Sequence, residues 1–149
     1  MRATREKRVK RKHLNPMGML HGGELMKWID EAGGDAAHCH AERFCVTAHV
    51  DSFEFLRPVL PDQTVIMKAS VTRTWNTSLE VAIRAEARNE DTGQCHLVAS
   101  AYYVYVGLDE DRKPIKIDEF VPYTEEEKRE WAAAGQRRDR RLREKNQSK

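Results

Sequence analysis

The chain of 149 residues is predicted to form one α+β domain, in which an antiparallel sheet packs against a long helix. Three observations predict it. Residues 64–75 and 78–89 alternate apolar and polar side chains with a period of two, as half-buried strands do. Residues 23–40 instead repeat apolar side chains at the helical period of 3.6. No apolar run approaches the roughly 18 to 20 residues of a membrane-spanning helix.

The first elements are a possible strand, a loop and the long helix. Residues 4–12 can add a short strand, and residues 15–18 are a loop. The helix over residues 23–40 is expected to bury a stripe of apolar side chains, consisting of Leu25, Trp28, Ile29, Ala32, Ala36 and Cys39. Glu31 and Asp35 lie on its opposite, polar side and are expected to be ordinary surface residues.

Four antiparallel strands follow the helix. In residues 45–55 the alternation changes phase after Val50, which indicates a β-bulge near Ser52. The next three strands form a meander with tight turns between them, over residues 64–75, 78–89 and 94–108. The polar side chains of the second of these strands are expected to face solvent: Glu80, Arg84, Glu86 and Arg88.

A second helix begins near Thr124, which is a suitable N-cap and precedes three glutamates. Basic residues accumulate toward its end, as the helix dipole favours. Trp131 and Leu142 are its only large apolar side chains. It is therefore expected to dock lightly and to fray after Arg143.

Charge is distributed unevenly, although the formal net charge is only +2. Residues 1–12 and 125–149 together carry a formal charge of +9, which leaves −7 for the residues between them. We divide the chain into a domain, residues 1–123, and a basic C-terminal helix and tail, residues 124–149. Basic ends on an acidic body indicate either an anionic partner or two solvated tails.

The cysteines are few and scattered, at Cys39, Cys45 and Cys95. They form no Cys-x-x-Cys pair, so neither a disulfide framework nor a zinc ribbon is predicted, and a reducing cytoplasm suits them. Residues 38–40 suggest a metal site, with Cys45, His49 and His96 as further ligands. Because adjacent helical residues point about 100° apart, three in a row cannot face one ion, and no metal is expected. No apolar secretory segment follows the basic residues 1–12.

One row of the long helix carries a candidate reactive group. The row consists of Met26, Asp30, Gly33 and Ala37, and only Asp30 is charged. The alternative is a carboxylate at the solvent boundary or paired with Lys27. Gly33 and Gly34 each cost roughly 1 kcal/mol relative to alanine inside a helix, which indicates that a ligand or a second helix approaches closely.

The start of the same helix offers backbone donors. His21 precedes Gly22 and Gly23, which lack Cβ atoms and let an oxygen approach the N–H groups at the positive end of the helix dipole. These amides can hold a developing oxyanion two turns from Asp30. The alternative is that the two glycines only turn the chain into the helix.

These residues are part of a longer pattern that resembles the hotdog-fold acyl-CoA thioesterases of the cytosolic acyl-CoA hydrolase group. Its pieces keep the family's order and spacing: His13–Asn15, Gly18, His21–Asp30, Val46–Asp51, Phe55–Val59 and Asn76–Val81. The resemblance covers residues 13 to about 142. It implies a hotdog fold, with a five- to six-stranded antiparallel sheet wrapped around the long helix. It also implies pairing of subunits through their sheets and a hexamer built as a trimer of dimers.

The resemblance assigns the chemistry to Asn15 and Asp30, which different subunits of the family often contribute. It implies hydrolysis of a fatty acyl-CoA thioester to fatty acid and CoA in the cytoplasm. Gly22 or Gly23 would polarise the carbonyl, and Asp30 would act as general base or as nucleophile. The expected partners are acyl-CoA and further copies of the chain, not nucleic acid or membrane. No metal or organic cofactor is expected besides the CoA of substrate and product.

The resemblance also implies which residues bind the CoA half of the substrate. They are the strand residues Ala48, His49 and Val50, the hairpin residues Thr77, Ser78 and Leu79, and Arg138, with Arg137 and Arg141 as alternatives in register. For the hairpin residues, ordinary turn chemistry is the competing interpretation.

Two other functions stay open at this point. A hotdog hydratase or dehydratase of acyl thioesters would use a catalytic histidine, for which His13 and His21 are available. A noncatalytic module could bind acyl-CoA, or RNA through the basic ends. RNA binding is disfavoured because residues 1–12 contain no aromatic side chain on which bases could stack.

Overall fold

The computed structural model describes residues 2–147. Its elements are β1 (Arg2–Arg8), α1 (Gly22–Ala41), β2 (Cys45–Phe55), β3 (Thr64–Thr74), β4 (Ser78–Arg88), β5 (Cys95–Gly107) and α2 (Glu125–Gln147), with a 3-10 turn at Arg11–His13. The strands form one antiparallel sheet in the order β1-β3-β4-β5-β2. The predicted helix and meander are therefore confirmed. The predicted N-terminal strand also forms, but it ends at Arg8 and not at residue 12. The two edges of the sheet are β1 and β2.

The core lies between α1 and one face of the sheet, and α1 contacts all five strands. The inward residues of β3 and β4 are at most 5% exposed: Val65, Met67, Ala69, Val71, Leu79, Val81, Ile83, Ala85 and Ala87. The stripe predicted for α1 is buried except at Cys39. In the last turn of α1, Phe120 and the carbonyl oxygen of Asp118 contact the neighbouring His40 and not Cys39. This turn is therefore covered on the His40 side, and Cys39 stays exposed.

The edge strand β2 is bulged and largely exposed. Its register against β5 shifts between Thr47 and His49, and again between Val50 and Ser52. The bulge expected near Ser52 is confirmed, and a second one precedes it. Residues 46–49 are exposed, and no strand of the described chain pairs with the outer edge of β2. An unpaired edge of this length is a template for another strand.

The other edge strand, β1, uses its basic residues to contact α1. The Arg5 guanidinium donates to Asp35 at 2.5 Å and to Glu31 at 3.1 Å. The expectation that these two acids are ordinary surface residues is wrong, because β1 passes beside the polar side of α1. Arg8 also lies 3.6 Å from Asp62, so part of the N-terminal positive charge is neutralised within the domain.

The second helix, α2, begins with the expected cap. The Thr124 hydroxyl accepts the N–H of Glu127 at 3.0 Å, and the Glu127 carboxylate accepts the N–H of Thr124 at 2.9 Å. The helix continues without a break to Gln147. The predicted fraying after Arg143 is therefore wrong.

The prediction that α2 docks lightly is also wrong, because ion pairs hold the helix to the outer face of the sheet. Arg137 donates two hydrogen bonds to Glu80, and Arg141 pairs with Asp51. The prediction that Glu80 faces solvent fails for the same reason, since its side chain is 0% exposed beneath α2. The ion pairs replace the apolar contacts that the sequence of α2 lacks.

Candidate active site

Asp30 lies in the middle of α1 and is held by residues of β2 and β5. Its Oδ1 accepts a hydrogen bond from the Thr47 hydroxyl at 2.5 Å and lies 3.2 Å from the Tyr105 hydroxyl, which also reaches the Asp30 carbonyl oxygen at 2.9 Å. Within residues 2–147, Oδ2 accepts no hydrogen bond and Asp30 forms no ion pair, with Lys27 or any other cation. The carboxylate is fixed at one oxygen and open at the other, as a general base or nucleophile requires.

Two buried tyrosines bring hydroxyl groups to this part of α1. Burial and the nearby Asp30 carboxylate raise the pKa of Tyr105 above its ordinary value and raise the pKa of Tyr103 to about 12. Both phenols therefore stay protonated at neutral pH and act as hydrogen-bond donors. Tyr103 donates to the carbonyl oxygen of Met26 at 3.4 Å.

The glycine at position 33 makes room for Tyr105. A Cβ atom at Gly33 would overlap the Tyr105 hydroxyl and would lie 3.1 Å from Cδ1 of Ile83. At Gly34 the nearest atom, Cε1 of Tyr105, would be 3.9 Å away, an ordinary contact. Gly33 is closely approached, but the expectation of a ligand or a second helix is wrong there, because the approaching groups are the strand side chains of Tyr105 and Ile83.

The N-terminal end of α1 offers fewer free amides than the sequence predicts. Nδ1 of His21, the N-cap residue, accepts the N–H of Gly23 at 2.9 Å. The N–H of Gly22 donates no hydrogen bond within the described chain. Of the two predicted oxyanion donors, only Gly22 is therefore free. The Phe55 ring lies 3.4 Å from a Cβ built at Gly22, so β2 also passes this end of the helix.

Asn15 lies close to the same end of α1. Its Oδ1 accepts the N–H groups of Met17 at 2.9 Å and Met19 at 3.1 Å, which closes the loop and leaves Nδ2 as a free donor. The chain before this loop is tied to α1, because the N–H of His21 donates to the carbonyl oxygen of His13 at 2.9 Å. Asp30 is eight residues beyond Gly22, about 12 Å along the helix. No contact joins Asn15 to Asp30 in the described chain.

The strand and hairpin segments predicted to bind CoA lie at one end of the sheet, on either side of β5. Thr47 and Leu79 are both register partners of Tyr105. Ala48 and His49 are exposed on the free edge of β2, and Thr77 and Ser78 are half-buried where β4 begins. The Leu79 side chain is fully buried in the core, so only its backbone could meet a ligand.

The three candidate arginines of α2 differ in what they already bind. Arg137 and Arg141 are committed to Glu80 and Asp51, whereas Arg138 forms no ion pair within residues 2–147. The Arg138 guanidinium lies over the Trp75 ring, 4.6 Å from its centroid.

Three arginine side chains lie near the Trp75 ring. Burial, and the nearby cations of Arg141 and Arg73, lower the pKa of Arg138. Arg73 and Arg141 lie 5.8 and 5.9 Å from the centroid of the Trp75 ring. Like charges held together at a half-buried point attract an anion.

The residues that suggested a metal site do not form one. No three His, Cys, Asp or Glu side chains within residues 2–147 are grouped so as to hold an ion. In the His-Cys-His segment, Nε2 of His40 lies 2.9 Å from the carbonyl oxygen of Asp118 instead. Neither of the two helices is long and apolar enough to cross a membrane, over the same described residues.

Comparison with known proteins places the chain among thioesterases. Residues 17–96 match the family described as the Thioesterase superfamily. A Bacillus subtilis protein named an uncharacterized acyl-CoA thioester hydrolase is 35% identical over 113 residues, which are 76% of this chain and 66% of that protein. The chain covers still less, 22% and 30%, of the mouse acyl-CoA thioesterase 11 and the rat cytosolic acyl-CoA thioester hydrolase that it also matches.

Solved structures of acyl-CoA thioesterases also resemble the fold of this chain. A hexameric acyl-CoA thioesterase superposes with a TM-score of 0.91 at 31% identity, covering 96% of this chain and 92% of that one. The acyl-CoA hydrolase of Staphylococcus aureus, solved with butyryl-CoA, CoA and CoA disulfide, superposes with a TM-score of 0.89 at 28% identity, covering 99% and 90%. The family match spans more than half of the chain, and the folds agree over almost all of it. The chain therefore belongs to the thioesterase superfamily and has its hotdog fold.

Proposed function

We propose that the chain is an acyl-CoA thioesterase, which hydrolyses acyl-CoA to a carboxylic acid and free CoA. The observation that carries this is the Asp30 carboxylate, which Thr47 and Tyr105 hold at Oδ1 while Oδ2 stays open. Rat and mouse relatives are named cytosolic acyl-CoA thioester hydrolases, and we propose the same compartment for this chain.

The spacing of three polar residues supports this assignment. The S. aureus acyl-CoA hydrolase was solved with an asparagine, an aspartate or a threonine replaced by alanine. In that protein the asparagine and aspartate are 15 residues apart, and the aspartate and threonine are 17 apart. Asn15, Asp30 and Thr47 have the same two spacings. We therefore add Thr47, which the sequence did not single out, to the proposed site.

In the proposed reaction, Asp30 either takes a proton from the attacking water or attacks the thioester carbonyl itself. The N–H of Gly22 and Nδ2 of Asn15, both at the N-terminal end of α1, stabilise the negative charge that develops on the carbonyl oxygen. The C–S bond then breaks, and in the general-base route the leaving CoA thiolate takes up the proton that Asp30 removed from water. In the nucleophilic route the acyl group stays on Asp30 as a mixed anhydride while the thiolate takes a proton from solvent, and water then hydrolyses the anhydride to the carboxylic acid and free Asp30.

The free edge of β2 explains how groups about 12 Å apart can act together. β2 runs beside α1, with Thr47 next to Asp30 at one end and Phe55 next to Gly22 at the other. Two β2 strands paired antiparallel about a twofold axis near Asp51 would set Thr47 of one copy opposite Phe55 of the second.

Such a pairing creates two identical sites, each shared between subunits. Asp30 of one copy would face Asn15 and Gly22 of the other. Related solved thioesterases are named hexameric, including one from Yersinia pestis with a TM-score of 0.73 at 26% identity. We accordingly propose a dimer through β2 as the catalytic unit, and a trimer of such dimers as the assembly.

Mixing two inactive variants tests the shared site. Asn15→Ala and Asp30→Asn are each expected to be inactive alone. When they are co-expressed in equal amounts with different tags, random pairing leaves about a quarter of the sites with both groups intact. The rate of CoA release should then recover to about a quarter of the native rate. A mixed assembly without recovery would show that both groups of a site come from one chain.

Hydrolysis fits the geometry better than hydration, because neither candidate histidine is a free base. Nδ1 of His13 accepts the N–H of Lys10 at 3.0 Å, and burial lowers the pKa of the ring, which packs edge-on against Trp28. Nδ1 of His21 is the cap of α1. A saturated acyl-CoA with a thiol reagent tests this directly, since only a hydrolase releases free CoA. The same assay from acetyl-CoA to palmitoyl-CoA gives the chain-length preference.

Among the candidate arginines we propose Arg138 as the group that meets a CoA phosphate. Arg138→Ala should raise the KM for acyl-CoA about tenfold, because a charge-assisted contact is lost. The KM for the matching acyl-N-acetylcysteamine thioester, which lacks the nucleotide, should not change. Arg143→Ala, at an exposed arginine of the same helix, is the control. Equal effects of both substitutions would contradict the assignment.

A further inference from the structure

Two carboxylates of the sheet lie buried beneath α2. The Glu80 side chain is 0% exposed and the Asp51 side chain 1%. Glu80 accepts hydrogen bonds from the Thr72 hydroxyl at 2.6 Å and from Arg137 at 2.8 and 2.9 Å. A buried carboxylate is stable only when it is paired and hydrogen-bonded, so Glu80 fixes the position of Arg137.

Asp51 provides a second fixed point, one helical turn further along. It accepts hydrogen bonds from Arg140 at 2.7 Å and from Arg141 at 2.6 Å. Asp51 lies where the register of β2 shifts between Val50 and Ser52. Since Arg137 and Arg141 are four residues apart, the two ion pairs together fix both the rotation and the height of α2 on the sheet.

A third contact joins α2 to the end of β3. The Arg73 guanidinium lies over the Trp131 ring, 3.5 Å from its centroid, and donates to the Trp131 carbonyl oxygen at 3.2 Å. A Cβ atom at Gly135 would overlap Nη1 of Arg73, so this glycine admits the guanidinium against the helix. Because Arg73 also lies 5.8 Å from the centroid of the Trp75 ring, this contact fixes α2 close to Trp75.

Arg138 lies between the two fixed points, so the ion pairs of Arg137 and Arg141 set the place from which it contacts Trp75. Its neighbours Arg73 and Arg141 repel it, the adjacent Asp139 attracts it, and it forms no ion pair in residues 2–147. The ion pairs at Glu80 and Asp51 therefore hold Arg138 over Trp75 and beside two other cations, where an anion is attracted.

We propose that Glu80 and Asp51 are positioning residues for substrate binding, which hold α2 through Arg137 and Arg141 so that Arg138 is preset beside Trp75 for a phosphate of the substrate. This inference rests on the proposed function, because it takes acyl-CoA as the source of the anion. A preset guanidinium loses little freedom on binding, so the gain is in affinity for the nucleotide half of the substrate and not in the chemical step.

The test compares acyl-CoA with the corresponding acyl-N-acetylcysteamine thioester. Glu80→Gln should raise the KM for acyl-CoA about tenfold with little change in kcat, as is expected for Arg138→Ala. The readout is the ratio of the KM for acyl-CoA to the KM for the N-acetylcysteamine thioester. A merely structural role would leave this ratio unchanged. Glu86→Gln is the matched control, since Glu86 is on the same strand but pairs with Lys68 at 3.6 Å and not with α2.

Asp51→Asn is the second variant, and it tests the same proposal if Glu80→Gln does not fold. One of its partners, Arg140, is half exposed, so the loss of the pair should be tolerated better. The KM for acyl-CoA should rise as for Glu80→Gln, with the native oligomeric mass in light scattering. Asp62→Asn, which removes an exposed acid, is its control.

The outcomes separate this inference from the proposed function. An unchanged KM in Arg138→Ala would overturn the proposed phosphate contact. A raised KM in Arg138→Ala, with native KM values in both Glu80→Gln and Asp51→Asn, would overturn the positioning role alone. If Glu80→Gln and Asp51→Asn lose activity equally on acyl-CoA and on the N-acetylcysteamine thioester, the two carboxylates act in fold stability. That result would also overturn the positioning role.

Discussion

Asp30→Asn is expected to lower kcat for acyl-CoA hydrolysis by about a thousandfold, the scale of losing a general base. An amide can neither take a proton from water nor attack the thioester. The fold should survive, because an amide oxygen can still accept the hydrogen bonds of Thr47 and Tyr105, which are the contacts that hold the side chain. The measurement is the rate of CoA release over a range of acyl-CoA chain lengths, with the melting temperature recorded alongside.

Asp35→Asn is the matched control, since Asp35 lies on the same helix and pairs with Arg5 instead of facing the site. It should keep the native kcat. Full activity of Asp30→Asn on every acyl-CoA would end the proposed site. A single turnover in oxygen-18 water then separates the two roles of Asp30, because label enters its carboxylate only by the nucleophilic route.

The sequence predicted well what local periodicity decides. The alternation in β3 and β4 identified the core face, and the 3.6-residue period identified the buried side of α1. Asp30 could be singled out because it is the one charge on a row of small and apolar side chains. These patterns each depend on one element and the face that it buries.

The sequence could not predict contacts that depend on a distant partner. Glu80 alternates like any solvent-facing strand residue, and its burial is decided by Arg137, 57 residues later. Tyr105 has the pattern of an ordinary core residue, and its hydroxyl meets Asp30 across 75 residues. The only local sign of Tyr105 was the absence of a Cβ atom at Gly33. Gly23 was predicted as an oxyanion donor because the sequence does not show that His21 caps it.

The adjacent glycines of α1 should respond in opposite ways to alanine. Gly34→Ala should raise the free energy of unfolding by up to about 1 kcal/mol, because alanine favours a helix and the nearest atom lies at an ordinary distance of 3.9 Å. Gly33→Ala should lower it by about 2 kcal/mol, the usual cost of overpacking. It should also lower kcat about tenfold, since the new methyl group displaces the Tyr105 hydroxyl from Asp30.

The cause can be isolated with Tyr105→Phe. The phenylalanine removes the atom that the Gly33 methyl group would overlap, so the double variant should lose less stability than the two single variants together, by about 1 kcal/mol. Some cost should stay, because Cδ1 of Ile83 is 3.1 Å from the same Cβ position. Tyr105→Phe alone should also lower kcat, as one donor to the Asp30 carboxylate is lost. If chemical denaturation shows Gly33→Ala to be as stable as Gly34→Ala, the hydroxyl does not occupy that space. Gly33 then has no part in holding the carboxylate, and the Asp30 geometry rests on Thr47.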